Sequence, residues 1–280
     1  MSHLENLVAP LIELCSVAGE SICSHYHSEE SDQYEPKSDQ SPLTRADLDS
    51  HAIILSGLEE LDEAIPILSE ESTTIGFEQR SAWDKYWLVD PLDGTREFLD
   101  RTGEFTINIA LVENHVPVLG LLYLPLEKKA YIGIPGSGAH CYEFSPGEGW
   151  QARPLQTRTL SSDEPFIILA SHRHRGPKLG AVLEWLEQRR GPLKRVNSGS
   201  ALKFCQLVEG DGDFYPRFSP CCEWDTAAGQ ALLEAAGGSL LGMDGKPVSY
   251  NRRKSLMSPN FFAIGDPQNP LWKELIALEI

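Results

Sequence analysis

The sequence has few cysteines, no long apolar run and no excess of positive charge, and each shortage removes a class of protein. Six cysteines in 280 residues (Cys15, Cys23, Cys141, Cys205, Cys221, Cys222) form no C-x-x-C pair. Neither a disulfide framework nor a zinc site is indicated, and reduced, structural thiols are expected. No apolar run approaches the ~18 residues that a membrane-spanning helix needs. The start, MSHLENLVAP, lacks the basic segment and long apolar stretch of a signal peptide. A soluble, cytoplasmic protein without a transmembrane segment is expected. The formal charge of -17 argues against nucleic acid as a partner and against a polybasic membrane anchor. If the substrate is itself an anion, cations must be supplied locally. What remains is an ordinary globular composition, 41% hydrophobic, in a chain long enough for one large α/β body or two lobes sharing a cleft.

Periodicity organises the rest. Leu4, Leu7, Val8, Leu11, Ile12, Cys15, Ala18 and Ile22 recur at one-faced helical spacing, which predicts a helix from Leu4 to about His27. The polar stretch SEESDQYEPKSDQSP reads as a mobile loop. Thr44-Arg45-Ala46-Asp47 opens a second amphipathic helix to about Leu61. Ile65 to Ser69 reads as a short strand ending at Glu70-Glu71, and Tyr86-Trp87-Leu88-Val89 as a buried strand ending at Asp90. Phe105 to Val112, Val116 to Leu124, and Ala130 to Ile134 with its continuation to Phe144 form a meander. The vaguer stretch from Gly147 to Ser162 suggests a division into an N-terminal α+β lobe, 1–150, and a C-terminal α/β lobe, 151–280. In the second lobe, strands at Phe166 to Ala170, near Val196 and at Asp213 to Arg217 alternate with helices Leu179 to Gln188 and Ala201 to Glu209. A longer helix, Asp225 to Ala236, stops at Gly237-Gly238, where a left-handed cap is expected.

The chemistry concentrates in Asp90-Pro91-Leu92-Asp93-Gly94-Thr95. Two carboxylates this close raise each other's pKa unless something positive lies between them. Pro91 lacks an N-H for the strand ladder, Gly94 permits close backbone approach, and Thr95-Arg96-Glu97-Phe98-Leu99 can begin a short helix whose first amides would face a phosphate. On its own, D-x-x-D is as well explained by an acidic turn with Asp93 capping the helix. Glu70 has an equally plain explanation as a solvated strand end, and Asp225 as an N-cap.

Taken together, Glu70-Glu71, DPLDGTREF and WDTAAG resemble the lithium-sensitive, magnesium-dependent phosphatases of the inositol monophosphatase superfamily, over nearly the whole chain. Within it, the stretches Ser41 to Asp47, Gly199 to Cys205 and Tyr215 to Phe218 resemble the bacterial 3'(2'),5'-bisphosphate nucleotidases. The resemblance implies an α/β (α+β) layered sandwich of the inositol monophosphatase/fructose-1,6-bisphosphatase kind, two lobes around a metal cleft. It implies one Mg2+ held by Glu70, Asp90 and the Leu92 carbonyl, a second by Asp90, Asp93 and Asp225, and two or three ions per site. Such carboxylate-rich oxygen sites with open water positions suit Mg2+. It gives Glu70 and the Thr95 hydroxyl the task of orienting a water, with Asp47 as the base behind the threonine. Asp47 is otherwise accounted for by a Thr44-x-x-Asp47 capping box.

The implied substrate is a nucleotide bisphosphate, adenosine 3',5'-bisphosphate, whose 3'-phosphate is removed to give AMP, relieving a by-product of sulfate assimilation. Glu70, Leu92, Asp93, Gly94, Thr95 and Asp225 would touch the substrate on the metal side. Ser200, Lys203, Arg217 and, by register, His174 would seat the uncleaved phosphate; a solvated helix face and a strand-end arginine are the plainer account of them. The loop with Lys37 and Asp39 would fold over the metals, as similar loops do in the family. Family relatives also suggest peripheral association with the cytoplasmic face of the inner membrane, which the acidic composition does not favour. The rival readings are an inositol monophosphatase or another sugar-phosphate phosphatase, and a non-catalytic metal and nucleotide sensor. A structural calcium site leaves Gly94 and Thr95 unused and lacks EF-hand spacing. Oligomeric state is not readable.

Overall fold

Residues 3–28, 33–37, 42–72, 75–172 and 176–278 are described in a computed structural model of the chain. Helix α1 (Val8–Tyr26) is followed by a two-stranded ribbon, β1 (Glu35–Pro36) with β2 (Pro42–Leu43), and by helix α2 (Arg45–Leu61). The ribbon lies in a stretch expected to be loop. Thr44 and Asp47 form the reciprocal cap at the start of α2, as the spacing predicts.

A seven-stranded sheet follows in sequence order. It comprises β3 (Ile67–Ser69), β4 (Lys85–Asp93), β5 (Thr106–Glu113), β6 (Val116–Leu124), β7 (Lys129–Ile134), β8 (Gly138–Ser145) and β9 (Gly149–Leu155). Short helices α3 (Phe77–Arg80) and α4 (Thr95–Leu99) interrupt it. Only β3 with β4 is parallel. Thus the meander is longer than the sequence suggests, and the sheet runs past the division expected at residue 150. The last strand is hard to read because most of its side chains face solvent, so no apolar alternation marks it.

The remaining elements are β10 (Phe166–Ala170), α5 (Pro177–Arg190), β11 (Leu193–Asn197), α6 (Leu202–Val208), β12 (Phe214–Arg217), α7 (Ala227–Ala235), β13 (Ser239–Gly242), β14 (Phe261–Ile264) and α8 (Leu271–Ile276). Their strands form a mixed five-stranded sheet in the order β11-β10-β12-β14-β13. The last three elements went unread in the sequence. Gly237, at φ +100°, ends the turn after α7, as expected of a glycine there.

Strand periodicity explains the layering, because successive side chains point to opposite faces. On β4, Trp87 and Val89 pack with Leu11, Ile12 and Ile54 of α1 and α2. The alternate residues Tyr86 and Leu88 face the other way, into a core shared with Phe204, Leu232, Leu169 and Tyr215. A third core joins Phe166, Phe214 and Phe262 to Val182 of α5 and Trp272 of α8. The result is a five-layer α/β/α/β/α sandwich with α6 and α7 at its centre.

Residues Glu5–Tyr26 are long and apolar enough to cross a membrane by length and composition, which corrects the expectation that no segment would be. Its Leu11, Ile12, Cys15, Ala18 and Ile22 are nevertheless buried against the sheet. Each large side chain so buried contributes about 1.5–3 kcal/mol, which accounts for the helix as a core element. All six cysteines are free thiols.

Helix α7 lies unusually close to the first sheet. A Cβ at Gly120 would come 2.1 Å from the Ala228 carbonyl oxygen, and one at Gly133 2.3 Å from Leu232 Cα. The helix therefore packs backbone to backbone on β6 and β7, and the 3-10 turn that precedes it, Glu223–Asp225, is seated over β4 and β5.

Candidate active site

Strand β4 does not stop at Asp90. Asp90 pairs with Asn108 and pairing resumes at Asp93 with Thr106, so Pro91 and Leu92 bulge opposite the single residue Ile107. A proline, with no N-H to donate, suits such a bulge. The bulge is closed from inside by Leu92 N donating to Asp90 Oδ1 at 3.0 Å, and from α2 by Ser50 Oγ donating to the Pro91 carbonyl at 2.8 Å. Gly94 follows at φ +92°, and a Cβ there would meet Glu104 O at 2.8 Å. Backbone conformation and space both require glycine.

Asp225 arrives from the far end of the chain. It closes the 3-10 turn Glu223–Asp225 before α7 and accepts Cys222 N at 2.8 Å through Oδ2. The carboxylates of Asp90, Asp93 and Asp225 each bring an oxygen within 4.8 Å of the others. Burial, then Glu70, Asp93 and Asp225, push the Asp90 carboxyl well above the usual range. Burial, then Asp93 and Glu70, push Asp225 up to about 8. Among the described residues no lysine or arginine forms an ion pair with any of the three. Hard oxygen donors that repel one another, one buried and two half-buried, make a site short of positive charge, and its chemistry fits Mg2+.

Glu70 sits in the turn after β3 and lines the same cleft, but it stands outside that trio. Its Oε1 accepts Lys37 Nζ at 2.6 Å, and the same ammonium reaches Glu71 Oε1 at 2.6 Å. Burial raises the Glu70 pKa while Lys37 opposes the shift. Lys37 therefore reaches Glu70 at the edge of the cleft; Asp39, the other residue expected of that loop, lies outside the described residues.

Thr95 Oγ1 donates toward Asp47 Oδ1 at 3.1 Å and the Leu92 carbonyl at 3.2 Å. The other Asp47 oxygen is held by Thr44 N at 2.8 Å and Thr44 Oγ1 at 2.6 Å. The helix cap and the link to Thr95 are thus two ends of one carboxylate. Burial raises the Asp47 pKa against the pull of the Thr44 hydrogen bonds.

The cleft, of about 520 Å³, is also lined by Ser200, Lys203 and Arg217, a cationic wall that meets the acidic one where Ser200 reaches Asp93. The Lys203 ammonium is fully buried and donates to the carbonyls of Ser198, Gly199 and Ser200 at 2.9, 3.0 and 2.6 Å. All three of its hydrogens are thereby engaged. Burial, then Arg217, lower its pKa to about 8. Arg217 donates to Ser219 O, the Tyr215 hydroxyl and Pro220 O, which leaves two of its five N-H groups. His174 lies outside the described residues, while His172 pairs with Glu104 at 3.1 Å.

The residues that sequence reasoning missed are Asn108 and Thr106. Asn108 Nδ2 donates to Asp93 Oδ2 at 3.3 Å, and Thr106 Oγ1 donates to Asn108 Oδ1 at 2.7 Å. A signal was present, because two polar residues at period two in the apolar run TINIALV share one strand face.

The inositol monophosphatase family matches residues 3–277. The 3'(2'),5'-bisphosphate nucleotidase CysQ of Salmonella typhimurium is 38% identical over 260 residues, spanning 91% of this chain and 98% of that protein. The crystal structure of CysQ from Bacteroides thetaiotaomicron, a bacterial member of the inositol monophosphatase family, superposes with a TM-score of 0.82 at 36% identity, covering 95% of this chain and 99% of that one. An inositol monophosphatase structure from Thermotoga maritima shares the fold, with a TM-score of 0.75 at 22% identity over 98% of this chain and 96% of that one.

Proposed function

This chain belongs to the inositol monophosphatase family, and from that premise we propose that it is a Mg2+-dependent phosphatase acting on 3'(2'),5'-bisphosphate nucleotides. Its reaction is removal of the 3'-phosphate of adenosine 3',5'-bisphosphate, giving AMP and phosphate. The carrying observation is the convergence of Asp90, Asp93 and Asp225 in the cleft that also holds Thr95 and Arg217. The nucleotidase relative, matched over nearly its whole length, supports the substrate class.

Asp90, Asp93 and Asp225 would hold one Mg2+, and Glu70, Asp90 and the Leu92 carbonyl another, with room in the reading for a third. Such ions supply Lewis acidity to a water and charge neutralisation to the phosphoryl oxygens. The side chains do the rest. With its own hydrogen directed to Asp47, the Thr95 hydroxyl presents lone pairs to a water in the cleft, orients it and passes its proton toward Asp47. Burial makes that carboxylate a better acceptor. The water oxygen bonds to phosphorus as the bond to the ribose 3'-oxygen breaks, that oxygen takes up a proton from solvent to become the 3'-hydroxyl of AMP, and no side chain is esterified. Arg217, braced by Tyr215, offers its two unengaged N-H groups to the uncleaved phosphate. Charge-assisted donors of this kind favour a bidentate phosphate contact.

The test is phosphate release from adenosine 3',5'-bisphosphate, myo-inositol 1-phosphate, fructose 1,6-bisphosphate and AMP, with Mg2+, with Mg2+ plus Li+, and with a chelator. Preference for the bisphosphate nucleotide, lost on chelation and depressed by Li+, is expected. Preference for inositol phosphate would replace this reading by the sugar-phosphate one, and no turnover of any ester would leave a metal and nucleotide sensor.

A further inference from the structure

The two oxygens of Asp93 are treated very differently. Oδ2 accepts three hydrogen bonds, from Ser200 Oγ at 2.8 Å, Ala201 N at 2.7 Å and Asn108 Nδ2 at 3.3 Å. Oδ1 accepts none among the described residues. A carboxylate so held can rotate only by breaking all three contacts, so its second oxygen has a fixed aim.

The donors come from the first sheet and from the turn between β11 and α6. Asn108 stands on β5, and its amide is oriented by Thr106 Oγ1 donating to its Oδ1. Ser200 lies in the turn before α6, at φ +48°, within 2.7 Å of the same Thr106 hydroxyl. The Lys203 ammonium fastens that turn through three carbonyls. The network thus ties a strand of the first sheet to the turn that borders the second.

We propose that Asn108 and Ser200 are positioning residues for cation binding, acting through Asp93, and that Ser200 links the 198–203 turn to the cation site. Resting on the metal-dependent reading above, this gives the Ser200 hydroxyl to Asp93 rather than to the uncleaved phosphate. Outer hydrogen bonds to a metal ligand typically change affinity by about 10–100-fold.

The test uses the full chain without substrate, Mn2+ as probe, and calorimetry or the resonance signal of free Mn2+ to read affinity. Ser200→Ala and Asn108→Leu should each weaken Mn2+ binding about tenfold or more. The melting temperature of the metal-free Ser200→Ala chain should stay at the wild-type value. Ser200 is only half-buried, so this variant carries the test even if Asn108→Leu, at a buried position, fails to fold. Unchanged Mn2+ affinity in Ser200→Ala, with a raised KM for the bisphosphate, would assign the hydroxyl to substrate and overturn the proposal. A wild-type chain that takes up no Mn2+ would overturn the metal-dependent reading as well.

Discussion

The two walls of the cleft solve opposite electrostatic problems. On one, Asp90, Asp93 and Asp225 crowd together, and among the described residues no lysine or arginine is paired with them. On the other, Lys203 and Arg217 carry positive charge that backbone carbonyls largely satisfy. The first wall fixes one oxygen of each carboxylate by hydrogen bonds and leaves the other without a donor among the described residues, whereas the second uses most of its own donors to hold a turn in shape. Residue type alone does not reveal which of these a charged side chain will do. The destination of each donor and each lone pair decides it.

The sharpest way to break this contrast is Asp90→Asn. It removes the one fully buried charge of the trio, so phosphate release should fall by about 10³-fold or more, the several kcal/mol a metal ion supplies to phosphoryl transfer. Melting of the metal-free variant at neutral pH should match or exceed wild type, because a repelled charge is gone. Near-normal phosphate release from this variant would show that the acidic wall is not the reaction centre.

Arg217→Ala probes the opposite wall. Losing a charged hydrogen-bond donor costs about 1.5–3 kcal/mol, so KM for the bisphosphate should rise roughly 10–100-fold. Turnover of a nucleoside 3'-monophosphate should change little. Equal losses on both substrates would move Arg217 away from the uncleaved phosphate.

The smallest effect concerns stability and pH. Asp90 and Asp225 have folded-state pKa values raised by burial and like charge, Asp225 to about 8, and burial shifts Glu70 and Asp47 the same way. Between the ordinary carboxylate pKa of about 4 and about 8, these carboxyls hold more protons in the folded chain than in the unfolded one, and they outnumber groups such as His51 that burial shifts the other way. Their contribution to stability therefore falls as pH rises through that window. The metal-free protein should melt a few degrees higher at pH 5 than at pH 8, and saturating Mg2+ should narrow the gap by stabilising the ionised form. A thermal scan that is flat, or higher at pH 8 without metal, would mean the carboxylates do not repel one another in the folded state.

Legibility in the sequence followed the range of the interaction. The Thr44 and Asp47 cap and the glycine at position 94 depend on neighbours, so local chemistry predicts them. The approach of Asp225 to Asp90 depends on how α7 packs on β5 and β6, and only the family resemblance pointed to it. Lys203 and Arg217 are visible as cations, but their carbonyl partners exist only once the turns have formed. The buried Arg80 shows the same limit. It donates to Asn251 and to the carbonyls of Arg253 and Lys254, contacts that no periodicity foretells.

Gly120 and Gly133, far from the cleft in sequence, act as a ruler for it. Because they let α7 sink until main chains touch, the depth of that helix fixes how far Asp225 can lean toward the β4 bulge. Even a methyl group on either glycine would work as a shim, lifting the helix and opening the cage of oxygens from behind. The dimensions of the acidic cluster are thus decided partly by two residues with no side chain at all.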